Sequence, residues 1–144
     1  MRVKNTPGSA LAILLLMIGL FLSGYSDAWG EDWKLFSESE GSAFFFDCES
    51  LSSPSEKNVR VMVKVVVSEK DRLPWVEKGG KMYLHLSHIK SSLEINCENR
   101  SYRTLSLELL SGQDILNSFS WNASGFSLIT PGSNWDNLHK AVCR

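Results

Sequence analysis

What this sequence lacks narrows its function before any motif is considered. Its 144 residues include only three cysteines, three histidines and four prolines. The cysteines, Cys48, Cys97 and Cys143, stand far apart, so no C-x-x-C redox pair or zinc knuckle can be drawn. Neither sign of charge prevails: 15 basic against 16 acidic side chains leave a formal net charge of −1. That balance argues against a nucleic-acid footprint and against an acidic solvating tail. There is no P-loop, dinucleotide fingerprint, G-x-S-x-G or H-E-x-x-H. Ser87-His88-Ile89-Lys90 has the S-x-x-K spacing of penicillin-recognising enzymes, but S-D-N and K-T-G are missing and the stretch opens a strand rather than a helix. His85, His88 and His139 have no carboxylate at ligand spacing, so neither a metal nor another cofactor is expected. Paired acids such as Glu38 and Glu40 fall in a turn, where solvated carboxylates are ordinary. The expectation is a protein without catalysis.

Long apolar runs are equally scarce. The single one, Ala10 to Leu22, follows Arg2 and Lys4 and is followed by small residues. Its length suits the core of a secretory signal and falls short of the ~20 residues a spanning helix needs. Leu22-Ser23-Gly24 resembles a lipoprotein signal, but Tyr25 stands where the acylated cysteine would be. Cleavage after Ala28 or Gly30 is therefore expected, giving a signal peptide at 1–30 and one domain at 31–144, in the periplasm or at the cell surface. No membrane span is expected after cleavage.

What the mature chain does contain is alternation. Val59, Val61, Val63, Val65 and Val67 recur at period two, with Arg60 and Lys64 opposite, which predicts a half-buried strand. Trp33–Phe36 and Ala43–Cys48 read as a hairpin around SESEGS. Ile89, Leu93, Ile95 and Cys97 share one face of a strand over 88–98; Leu105, Leu107 and Leu109 share one face of its return over 102–110; a further strand covers 114–120. Turns this short exclude crossover helices, so the sheet is an antiparallel meander. Ser68–Lys81, broken by Pro74, Gly79 and Gly80, is expected to hold a single helical turn near Trp75. Ser133-Asn134-Trp135-Asp136 has the form of a helix start, and Trp135, Leu138, His139 and Val142 then form an apolar stripe that must dock on the sheet.

Export makes a disulfide the natural use of the cysteines. Cys97 shares a face with Leu93 and Ile95, and Cys143 ends the helix that docks there, so Cys97–Cys143 is the expected bridge. Cys48 shares a face with Phe44 and Phe46, which leaves Cys48–Cys97 as the alternative. Trp33 and Trp135 lie inside elements and are expected to pack. Trp75 and Trp121 lie in or beside loops and are candidate partner contacts.

An ordered set of short motifs runs through this frame: Phe46-Asp47-x-Glu49-Ser50, Val59-Arg60-Val61-x-Val63-Lys64, Glu94-Ile95-Asn96-Cys97 with Tyr102-Arg103, Pro131-Gly132-Ser133 and Lys140-Ala141-Val142-Cys143. The set resembles the surface-adhesin protein E-like domain of bacterial secreted proteins, from about Trp33 to Cys143. The resemblance implies an α+β fold, a curved antiparallel sheet of about six strands with a C-terminal helix fastened to its concave face by a disulfide. It matches the family cysteines to Cys97 and Cys143, and places none at Cys48. The namesake of the domain is an adhesin for host matrix proteins. The function expected is thus an exported cell-envelope binding module whose partner is a protein or another envelope component; an open sheet edge would also admit a second copy. The alternative is a periplasmic small-ligand binder using a pocket between sheet and terminal helix.

Overall fold

The computed structural model describes residues 31–122 and 125–144, so the expected signal peptide and its cleavage site lie outside the described residues. Seven strands form one antiparallel sheet. β1 (Trp33–Ser39), β2 (Ser42–Asp47), β3 (Asn58–Val66), β4 (His88–Asn96), β5 (Ser101–Ser111) and β6 (Asp114–Ser120) lie side by side in chain order, and the short β7 (Ser127–Leu128) also pairs with β5. α1 (Glu69–Gly79) interrupts the meander between β3 and β4, and α2 (Asn134–Val142) closes the chain. The α+β architecture agrees with the sequence reading, with one extra strand and one extra helix. Among the described residues no helix is long and apolar enough to cross a membrane.

Alternation decides which face is buried. Val61, Val63, Leu93 and Ile95 point to one side and join Phe46, Ile129 and Leu138 in the main core. On the same side, Val67 and Leu109 pack with Tyr83 and Leu86 in a second cluster, to which α1 contributes Trp75 and Val76. Two helices therefore cover two ends of one sheet face, and the opposite face carries Arg60, Lys64, Lys90 and Glu94.

α1 is longer than the single turn read from the sequence. The Ser68 hydroxyl accepts the Asp71 N–H, Glu69 and Asp71 sit at the positive helix end, and Gly80, at φ 89°, ends the helix with its N–H on the Val76 carbonyl. Pro74 lies inside, where it has no N–H to give and should weaken the turn. Tertiary bonds offset that cost: Arg72 Nε donates to the Leu86 carbonyl at 2.8 Å, and the buried Ser42 hydroxyl joins the Asp71 carboxylate to the Ser68 N–H.

Bulges alter the expected faces at two places. In the β1–β2 pair Leu35 faces Phe45 and Ser37 faces Phe44, leaving Phe36 as the extra residue. Phe36 packs against Phe44 and Phe46. In the β4–β5 pair Ser92 faces Ser106 but Leu93 faces Thr104, so Leu105 is extra. The bulge returns Tyr102 to the core side opposite Ile95 and takes Leu105 out of the period-two set with Leu107 and Leu109.

Candidate binding surfaces

The junction of α2 with the sheet is tied by several polar and aromatic contacts. Ser133 caps the helix by accepting the Asp136 N–H at 3.2 Å, as its sequence predicts. The Asp136 carboxylate turns back to accept the Gly132 N–H at 2.9 Å, and it also pairs with Arg100 and with Lys140. The Gly132 hydrogen bond is the main reason its pKa lies below the ordinary carboxylate value; burial opposes this, and Lys140 and Arg100 add to it. Ser37 of β1 donates to Asn134 Oδ1 at 2.6 Å and accepts from Asn137 Nδ2 at 3.0 Å. Trp135 packs as expected, edge-on to Phe44 at 6.3 Å and tilted against Tyr102 at 5.5 Å, spanning the sheet from β2 to β5.

The helix ends in the Cys97–Cys143 disulfide, with 5.6 Å between the Cα atoms. His139 reinforces it through Nε2, 3.1 Å from the Cys97 carbonyl oxygen. Cys48 is a free, half-buried thiol. It lines a cavity of about 580 Å³ beside the bridge, with Phe46, Val59 and Val142 among the other walls.

The opposite face is organised by charge. Glu94, 3% exposed, lies directly between Arg60 on β3 and Arg103 on β5. It accepts from Arg103 at 2.9 Å, Arg60 at 3.2 Å and Asn58 at 2.7 Å. Burial pushes its pKa up, but these three donors outweigh that and hold it below the ordinary value. Arg103 in turn lies over the Phe126 ring, 4.7 Å from its centre. Trp33 was expected in the core, yet it lies on this face, with Lys64 Nζ 4.5 Å from its ring centre. The register explains the difference: Trp33 pairs with Asp47, out of phase with the inward Phe46. Lys90 reaches Glu31 at 3.0 Å. Three residues apart at a strand start, Ser87 and Lys90 point to opposite faces, so the S-x-x-K spacing assembles no nucleophile and base. Among the described residues no three His, Cys, Asp or Glu side chains gather as a metal site.

β6 ends the row of strands and exposes its apolar side chains. Ile115, Phe119 and Trp121 are accessible, and the Phe119 and Trp121 rings stack 6.1 Å apart at 20°. Phe126 and Leu128 are also exposed, on the face that carries Arg103; Leu128 is 79% exposed. Residues 115–122 carry no charge. Trp121 also borders a groove of about 310 Å³ with Tyr102, Leu107 and Gly125. Trp75 occupies a different place. It is half-buried against Tyr83, 6.0 Å between rings, beside a shallow groove of about 280 Å³ formed with Pro74 and Gly79. The sequence reading singled out Trp121 but missed Phe119, Phe126 and Leu128, because alternation does not say which strand is left at the edge.

The fold is an open antiparallel sheet with one face closed by a disulfide-tied terminal helix. The chain belongs to the surface-adhesin protein E family, whose model matches residues 33–144. Among solved structures it is similar to Haemophilus influenzae protein E, in its crystal form II, at 14% identity and a TM-score of 0.49, covering 79% of this chain and 95% of that one. Among curated proteins no sequence matches this one.

Proposed function

We propose that this chain is an exported bacterial cell-envelope binding module, adhesin-like and without catalysis, that engages its partner through the exposed aromatic edge at β6. The observation that carries the reading is the stacked Phe119–Trp121 pair, both rings exposed at the end of β6 within residues 115–122, which carry no charge. Aromatic side chains dominate the binding energy of protein interfaces. Family membership and the Cys97–Cys143 bond support an oxidising, extracytoplasmic setting. Trp75 is assigned a lesser part, since its ring is committed to Tyr83.

The test is a binding screen of the mature domain against immobilised extracellular-matrix proteins and native envelope fractions, repeated with Phe119→Ser/Trp121→Ser and with Trp75→Ala. The edge variant should lose at least tenfold in affinity with its melting temperature unchanged, and Trp75→Ala should lose less. Equal loss in both variants, or none in the edge variant, would refute the assignment. Sedimentation across a concentration series shows whether a second copy takes the same edge. Mass spectrometry of the mature N-terminus tests cleavage after Ala28 or Gly30.

A further inference from the structure

The cavity beside the disulfide has the character of a small-molecule site. Its volume, about 580 Å³, falls within the ~300–1,000 Å³ typical of ligand pockets. The lining is mixed, and its apolar part is built from rigid pieces: Phe46 on β2, Val59 on β3, Val142 at the end of α2, and the Cys97–Cys143 bridge that fixes the helix to the sheet. The rim is polar. Lys34, Glu56 and Arg144 supply its charged groups. The nearest acid to Lys34 is Asp32, only at 4.0 Å with both side chains more than half exposed, so that pairing is weak and leaves the ammonium available.

We propose that this cavity binds a compact apolar molecule carrying one anionic group, an aromatic or alicyclic carboxylate or sulfonate, with its body between Phe46 and Val142 and its charge toward Lys34. The site is separate from the β6 edge, so it stands or falls independently of the adhesin-like reading. Cys48 belongs to the cavity wall and serves as its reporter, because an occupant there shields the thiol from alkylation.

Two probes with the same apolar body separate the contributions of wall and rim: 8-anilinonaphthalene-1-sulfonate, and the uncharged N-phenyl-1-naphthylamine. Fluorescence titration of the full mature domain should show the sulfonate binding at least tenfold more tightly than the neutral probe. Saturating sulfonate should slow iodoacetamide modification of Cys48 at least fivefold. Lys34→Glu, at an exposed position, should weaken the sulfonate about tenfold and leave the neutral probe unchanged. Cys48→Phe, which fills the cavity, should abolish binding of both, whereas Phe119→Ser/Trp121→Ser should retain it. No sulfonate binding, equal affinity for the two probes, unchanged Cys48 reactivity, or undiminished binding by Cys48→Phe would each overturn the proposal.

Discussion

Removing the terminal bridge should cost stability without undocking the helix. Cys97 and Cys143 are separated by 46 residues. Closing a loop of that length removes chain entropy from the unfolded state worth about 4 kcal/mol in the loop-closure model. In a domain of this size such a loss corresponds to a fall in melting temperature of about 15 °C. The native helix has other attachments. Leu138 is 1% exposed, Trp135 bridges two strands, and Ser37, Arg100 and the Cys97 carbonyl each hold a polar group of α2. The Cys97→Ser/Cys143→Ser protein should therefore keep its native far- and near-ultraviolet dichroism at 25 °C while its urea midpoint falls. Its m-value should rise, because the unbridged unfolded chain expands and exposes more surface. Both cysteines must be replaced together, since either single change leaves a thiol able to compete with Cys48. A loss below about 1 kcal/mol with the m-value unchanged would refute the unfolded-state account. Loss of the native near-ultraviolet signal at 25 °C would show instead that the bridge is what keeps α2 docked.

Other perturbations follow from the same contacts. Leu138→Ala opens a hole at the centre of the main core and should destabilise by about 3 kcal/mol in urea titration. Glu94→Gln leaves Arg60 and Arg103 without their shared carboxylate; because both arginines reach solvent, a cost of about 2 kcal/mol is expected, less than for a fully buried pair. Glu94 has its native pKa below 4.5, so its contribution is present above that pH and lost as pH falls through the native value; acid titration of Glu94→Gln should show a shallower decline there. His88 responds at higher pH: burial first, then Lys90 and Lys64, hold its native pKa below 6.5, so the unfolded chain takes up the proton first and stability drops as pH falls below 6.5. His88→Gln should remove that step from the pH–stability profile, and its persistence would count against the assignment.

The legible parts of the fold are those in which one local signal coincides with one tertiary outcome. β3 was visible because its valines repeat at period two and that period matches a sheet with one covered face. α2 was visible because Ser133 and Asp136 mark its start and its apolar stripe has one place to dock. α1 was hidden by competing signals. Pro74 and the two following glycines read as breakers, yet Ser68-Glu69-Lys70-Asp71 has the same capping form as the start of α2, and that was the available clue. The bulges at Phe36 and Leu105 had no such clue. Each depends on how two strands are matched across a gap in sequence, which no single-strand pattern records.

The candidate surfaces divide along the same line. The disulfide was legible because facing and helix end together left few pairings, and Trp121 because a large aromatic beside a loop lacks an obvious cover. The Glu94 cluster was not, since Asn58, Arg60 and Arg103 become its partners only through the register of three strands. Trp33 shows the same dependence from the other side. A tryptophan inside a strand belongs to the core only if its phase matches the covered face, and the β1–β2 register places it with Lys64 instead. The exposed β6 edge needs one further fact: among the described residues β7 joins β5, at Ser101 and Tyr102, and Phe119 and Trp121 stay exposed. Sequence pattern thus reports what each element wants to bury. Which apolar groups are left for a partner is decided by pairing, and here pairing leaves Phe119 and Trp121 exposed at the end of the last strand in the row.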